Sequence, residues 1–143
     1  MSEILHATVV AADPAAVRTA VTTSDGLAGF WTDQVRAEPV VGTEAWFGFG
    51  PEAAIQFRFD VTGIADDAVE WRCTDGPDEW VGTQVRWGFQ SSEQGTSVRF
   101  EHSGWRSADG DLARCSFVWG QVLARLDRYL ATGTPDPYFH QAG

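Results

Sequence analysis

His102 is the residue of this 143-residue chain whose type and setting best suit acid–base chemistry. It falls in step with Val98 and Phe100 in an alternating stretch, so it points to the apolar side of a strand, and an imidazole that titrates near neutrality can donate, accept or shuttle a proton there. A cyclase-like acid–base enzyme built on His102 needs a second polar group across the cavity, and the sequence offers Ser116 and Gln121 for that place. The competing reading is a core histidine satisfied by a backbone carbonyl or a neighbouring side chain. His6 and His140 lie near the termini and read as structural or solvated. The two cysteines, Cys73 and Cys115, show no metal or redox spacing. Cys115 sits near a helix start, where the dipole lowers a thiol pKa, but its place on the apolar face reads as a buried, inert group. Asp60, Asp66, Asp67, Asp109 and Asp111 are scattered over turns and helix ends without calcium-loop spacing. Gly42, Gly48 and Gly50 lie among strands rather than opening a helix, and no serine stands in a nucleophile elbow. These patterns assign no catalytic set, no metal and no cofactor.

The elements that must position His102 follow from hydrophobic period. Ile4 to Ala11 is rich in β-branched residues and reads as a strand. Asp13-Pro14 reads as an N-cap with proline at the first helical position, opening a helix to about Thr22 with Val17 and Val21 on one face. A second short helix runs from Ser24-Asp25-Gly26 to Phe30-Trp31. Short strands follow: Gln34 to Glu38, Thr43 to Phe49, Ile55 to Ile64, Val69 to Cys73, Val81 to Phe89 and Thr96 to Ser103. In the clearest of them, Ile55, Phe57, Phe59 and Val61 face one way and Gln56, Arg58, Asp60 and Thr62 the other, a sheet with one dry and one wet face. Arg58, Arg72, Arg86 and Arg99 fall on the wet side among Asp60, Glu70 and Glu101, where cross-strand ion pairs account for them; a register slip of one residue would instead turn Arg86 inward. From Leu112 to Ala131 a helical period places Leu112, Cys115, Ser116, Trp119, Val122, Leu123, Leu126 and Leu130 on one face. Arg125 and Arg128 suit the negative end of its dipole, and Gly133, Pro135 and Pro137 end it.

Composition bounds the function classes. The formal charge is −10 and every basic residue is Arg, a field that repels phosphate backbones and anionic lipid and so excludes nucleic-acid and membrane-surface binding. No apolar run approaches the ~20 residues that span a bilayer, and the start of the chain lacks a signal-peptide pattern. The expectation is one cytoplasmic domain over residues 1–143. Seven Trp and nine Phe in so short a chain imply a dense aromatic core or an aromatic-walled cavity.

An antiparallel sheet with one apolar face must cover it, and the C-terminal helix is the element long enough. The predicted fold is therefore α+β, a helix-grip: a curved seven-stranded antiparallel sheet around a long C-terminal helix, in the order βααββββββα. That order, with Phe30-Trp31-Thr32, the stretch Thr96 to Trp105, and Trp119 to Leu130 followed by Gly133, resembles the SRPBCC or START-like (Bet v 1-like) superfamily. Within it the chain is similar to bacterial proteins like the C-terminal domain of the activator of heat-shock-protein-90 ATPase. The resemblance implies carriers, cyclases, co-chaperone domains or proteins of unknown role. Co-chaperone activity in the named member also involves a separate N-terminal domain and is not expected here. Pattern and resemblance together favour a binder over an enzyme. The expected ligand is a small hydrophobic molecule between sheet and helix, touched by Trp31, Phe47, Phe59, Trp71, His102, Trp119, Val122, Leu123 and Leu126. A cyclase-like enzyme and a homodimeric or chaperone-related interaction module, using an exposed sheet face or the Trp80–Trp105 region, stay open as alternatives.

Overall fold

In the computed structural model, which describes residues 2–140, the chain opens with strand β1 (Ser2–Val10) and helices α1 (Pro14–Thr22) and α2 (Ser24–Phe30). Six strands follow, β2 (Gln34–Arg36), β3 (Glu44–Phe49), β4 (Ile55–Ile64), β5 (Ala68–Asp75), β6 (Gln84–Ser92) and β7 (Gly95–Trp105), before the long helix α3 (Leu112–Thr132). All pairings are antiparallel in one sheet of order β1-β7-β6-β5-β4-β3-β2, so β2 to β7 form a meander and β1 closes on β7. This is the helix-grip α+β fold expected from the element order.

Local chemistry sets the helix ends. The Asp13 carboxylate accepts from the Ala16 N–H at 2.9 Å and Pro14 opens α1. The Thr23 hydroxyl oxygen does the same for the Gly26 N–H at 3.0 Å, so α2 starts one residue after α1 ends. The bend between them is tight enough that a Cβ on Gly26 would lie 2.5 Å from the Ala20 Cα. At the far end of α3, Gly133 adopts the left-handed φ of 73° and donates its N–H to the Tyr129 carbonyl at 2.7 Å, the helix stop read from the sequence. Arg125 and Arg128 do not serve the last turn of α3; both reach Asp136 in the segment beyond it. The start of α3 has no side-chain cap. Instead the Asp111 N–H donates to both oxygens of the Glu79 carboxylate at 3.2 Å, which ties the helix to the β5–β6 connection.

The wet face carries the expected ion pairs: Arg58 with Glu44 at 2.7 Å, Arg86 with Glu70 at 3.3 Å and Glu101 at 3.7 Å, and Arg99 with Glu101 at 3.7 Å. Arg72 stands opposite Asp60 in register. The dry face meets Trp119, Val122, Leu123 and Leu126 of α3, all buried. Three details depart from simple alternation. Strand β6 begins at Gln84, not Val81, because residues 77–83 form turns closed by Trp80 N–H to Pro77 O and Thr83 N–H to Trp80 O; Val81 is exposed while Trp80 and Thr83 are buried. Trp105 is fully buried although alternation turns it outward, since Gly104 at φ 88° and a register shift between Ser2 and Ile4 reset the facing. Ile55 keeps the inward face of β4 but lies at the sheet margin, 54% exposed.

Helix and sheet are locked by a chain of polar groups through the core. The Trp119 indole N–H donates to His102 Nδ1 at 3.2 Å, so the ring proton sits on Nε2. That proton is donated to Thr83 Oγ1 at 2.8 Å, and the Thr83 hydroxyl donates to the Trp80 carbonyl at 2.6 Å. Four residues from α3, β7 and the β5–β6 connection thus satisfy one another with no polar valence of the imidazole left over. Trp80 and Trp105 flank the ring at 4.6 and 4.9 Å between centroids. Burial lowers the His102 pKa from 6.5 to about 3.

Two outcomes test this reading of the core. In the unfolded chain the imidazole protonates below about 6.5, while in the folded protein it stays neutral down to about 3. Its contribution is therefore whole above pH 6.5 and is lost as pH falls toward 3, with a slope of up to about 1.4 kcal/mol per unit. Urea unfolding of the wild type against His102→Gln should show that slope shrinking in the variant, and nitrogen-15 NMR at pH 5 should show a neutral Nε2–H ring; a charged imidazolium at pH 5 contradicts the assignment. Separately, Gly26→Ala should lower stability by about 1–3 kcal/mol in the same assay, the cost of overpacking against backbone that cannot yield.

Candidate functional site

The aromatic residues do not fill the grip evenly. Where α3 begins, it diverges from strands β3 and β4, and a pocket of about 290 Å³ opens between them. Trp31 at the end of α2 and Trp119 of α3 form its floor, with ring centroids 4.8 Å apart. Phe49, Phe57 and Ile55 form the sheet wall; Pro77 and Trp80 of the β5–β6 connection and Phe139 of the C-terminal segment complete the sides. From α3 come Cys115 and Val118, with Asp111 and Arg114 at the mouth. Those two pair with each other at 3.1 Å, and Arg114 is exposed, so the rim is close to neutral.

The rings of the walls pack edge-on against one another. Trp80 lies T-shaped to Phe57 at 4.6 Å, and Phe49 is T-shaped to Phe57 at 5.1 Å and to Phe139 at 5.0 Å. The Trp80 indole favours the Cys115 thiolate, but less than burial opposes it. Burial pushes the Cys115 thiol pKa up, so it is a slow nucleophile at neutral pH despite its place near the start of α3. Cys73, buried away from the pocket, is raised to about 11 by the same cause. Among the described residues no three His, Cys, Asp or Glu side chains gather to hold a metal ion.

Of the nine residues expected at a ligand, Trp31 and Trp119 line this pocket. Phe47, Phe59 and Trp71 pack in the core layer behind Trp31: Phe47 at 4.5 Å from it, Trp71 stacked at 6.2 Å, and Phe59 against both Phe47 and Trp71. Val122, Leu123 and Leu126 are buried further along α3, and His102 lies beyond Trp119, bound on both nitrogens. The expected cavity lies between the sheet and the Leu112–Ala131 helix; this pocket is at the N-terminal end of that helix. A fully hydrogen-bonded imidazole that protonates only near pH 3 does not act as a general base at neutral pH. Sequence reasoning missed Trp80, Phe139 and Val118. Ile55 and Phe57 are expected on the dry face but not at the pocket. Phe49 and Ile55 stand where strands end or begin, and Trp80 and Phe139 lie outside the regular elements, while Val118 is interior to α3.

Comparison with known proteins bears this architecture out. The solution structure of the Aha1 dimer from Colwellia psychrerythraea is 31% identical and superposes with a TM-score of 0.83, covering 93% of this chain and 98% of that one. The crystal structure of DynU16, a protein in the dynemicin biosynthetic locus, is 23% identical over 99% of this chain and 51% of its own, with a TM-score of 0.79. The AHSA1-like protein from Aeromonas hydrophila is 20% identical, with coverage of 92% and 94% and a TM-score of 0.74. The latter two share the fold at identities too low to carry more. No curated protein matches the chain. Among the described residues no helix is long and apolar enough to cross a membrane. A family model for Activator of Hsp90 ATPase homolog 1-like protein matches residues 11–131. The chain is a member of the Activator of Hsp90 ATPase homolog 1-like family.

Proposed function

We propose that the protein binds a small, flat, uncharged hydrophobic molecule in the pocket at the start of α3. The observation that carries this reading is the six-ring wall of Trp31, Phe49, Phe57, Trp80, Trp119 and Phe139 around about 290 Å³. Such a wall gains from stacking and dispersion and offers few polar groups to orient a charged ligand. The net charge of −10 further disfavours an anion. The protein acts in the cytosol, where Cys73 and Cys115 stay reduced. Binding rather than catalysis is the proposed role, because His102 is held neutral and fully bonded.

The neutral fluorophore N-phenyl-1-naphthylamine should bind with enhanced emission and energy transfer from tryptophan. Bound probe should slow alkylation of Cys115 by N-ethylmaleimide at pH 8.5, while Cys73 stays unmodified in both states. Ile55→Trp, which fills the mouth from an exposed position, should weaken binding about tenfold, or about 1.4 kcal/mol, without loss of thermal stability. Absence of probe binding, or binding indifferent to Ile55→Trp with Cys115 unprotected, rules the site out.

A second reading concerns a partner. The Aha1 of Colwellia psychrerythraea is a dimer in its solution structure, and here β1 is an edge strand whose outward residues Leu5, Ala7 and Val9 are exposed. Its one charged residue is Glu3. An edge of that length without Lys or Pro invites pairing. Antiparallel pairing of two copies centred on Ala7 sets Leu5 against Val9 on both sides and keeps the two Glu3 carboxylates apart. Sedimentation should show a dimer, and Ala7→Lys, which opposes two ammonium groups, should give a monomer of unchanged fold. A wild type that sediments as a monomer at all accessible concentrations excludes this reading.

A further inference from the structure

The pocket has one wall that belongs to neither the sheet nor a helix. After Gly133 ends α3, the chain runs back in extended form past the end of α2, and Phe139 comes to rest on Phe49 and beside Trp31. Four backbone hydrogen bonds dock it: Asp136 N–H to Gly29 O at 3.0 Å, Tyr138 N–H to Phe30 O at 3.1 Å, Phe139 N–H to Trp31 O at 2.8 Å, and Asp33 N–H to Phe139 O at 3.2 Å. Thr32 and Phe139 form a parallel bridge. Electrostatics adds a clasp from α3. The Asp136 carboxylate takes Arg125 at 3.1 Å on one oxygen and Arg128 at 3.2 Å on the other. Arg125 also donates to the carbonyls of Asp136 and Pro137 at 3.0 and 3.3 Å, with its guanidinium 5.5 Å from the centre of the Tyr138 ring.

We propose that Pro135–Phe139 is a strap that closes the aromatic pocket over its ligand and must lift for the ligand to enter or leave. The inference rests on the pocket being the binding site. The strap contains no helix and, beyond its single bridge, no ladder, and residues 134–136 are exposed. Its ion pairs are solvent-accessible and therefore individually weak, while the helix and sheet it joins are held by the buried core. It is thus the part of the pocket wall that opens at least cost, by local release rather than unfolding. Phe139 supplies the coupling: a ligand stacked on its ring contacts the docked strap and loses that contact when the strap lifts. Ligand binding then favours docking, and docking favours binding, by the same factor.

Stopped-flow kinetics of N-phenyl-1-naphthylamine with the full chain, and hydrogen exchange with and without saturating probe, test this directly. Asp136→Ala frees the clasp but leaves every pocket ring in place, so association and dissociation should both accelerate, dissociation by about threefold or more, as expected for loss of exposed ion pairs. Phe139→Ala removes the ring, so affinity should fall and the probe should no longer protect the strap. In the wild type, saturating probe should slow exchange at the Tyr138 and Phe139 amides. If the probe binds but Asp136→Ala leaves both rates unchanged and exchange at those amides is indifferent to it, the strap is a fixed wall and the inference fails while the pocket stands. If the wild type binds no probe at all, the pocket reading itself is overturned and the strap with it.

Discussion

The Trp119 indole proton resting on His102 Nδ1 is the contact on which the grip depends. It joins the middle of α3 to the inner face of β7, at the depth where neither partner can find water. The acceptor is available because the imidazole is neutral, and it is neutral because burial makes a charged ring costly there. Thr83 completes the arrangement: its hydroxyl oxygen accepts a hydrogen bond from the single ring proton on Nε2, and its hydroxyl donates to the Trp80 carbonyl. Removing any member leaves a buried donor or acceptor unmatched, at a cost of roughly 1–3 kcal/mol. The core bears such costs elsewhere: the indole N–H groups of Trp87 and Trp105 are buried without a hydrogen-bond partner in the structure. That contrast explains why one Trp is anchored. Trp87 and Trp105 belong to strands already fixed by the ladder, whereas Trp119 is on the element that must be seated from outside it.

Seating the helix at Trp119 determines where space is left over. Beyond that residue toward the C-terminus, Val122, Leu123 and Leu126 close against the sheet. Toward the N-terminus the helix is held away by the Glu79–Asp111 contact, which fixes its first turn to the β5–β6 connection rather than to β3 and β4. The gap between these two attachments is the pocket. Trp119 therefore has its N–H in the core lock and also lines the cavity, so the lock keeps a pocket wall in place without titrating at physiological pH.

Period and capping made the architecture legible. Asp13-Pro14, the alternation of Ile55 to Ile64, and the three-and-four spacing from Leu112 to Leu130 are local rules with few competing outcomes, and the elements formed where those rules place them. The site was less legible because its residues are defined by where elements stop. Trp80 turns inward inside a loop whose path depends on hydrogen bonds to Cys73 and Pro77. Trp105 turns inward because Gly104 and a bulge break the alternation two residues after His102. Phe139 arrives from a segment beyond the last helix that carries no period at all. Facing predicted His102 correctly as an inward residue, yet facing alone does not reveal whether an inward imidazole meets empty space or two hydrogen-bond partners.

The same distinction separates the parts of the fold that are fixed from those that can vary. Residues that seat α3 are tied into bonds running across three elements, and altering one disturbs all of them. Among the residues that shape the pocket, Ile55 is exposed and Val118 and Phe139 are only partly buried. Substitution there changes volume and shape while leaving the lock intact, and the neutral Asp111–Arg114 pair at the mouth can be recharged from the solvent side at small energetic cost. The division between a bonded middle and an adjustable end follows from the helix being clamped at two points, one polar and buried, the other a half-buried turn. A pocket shape written in the adjustable end carries no fixed motif, which is why the fold is plain in the sequence and the pocket is not.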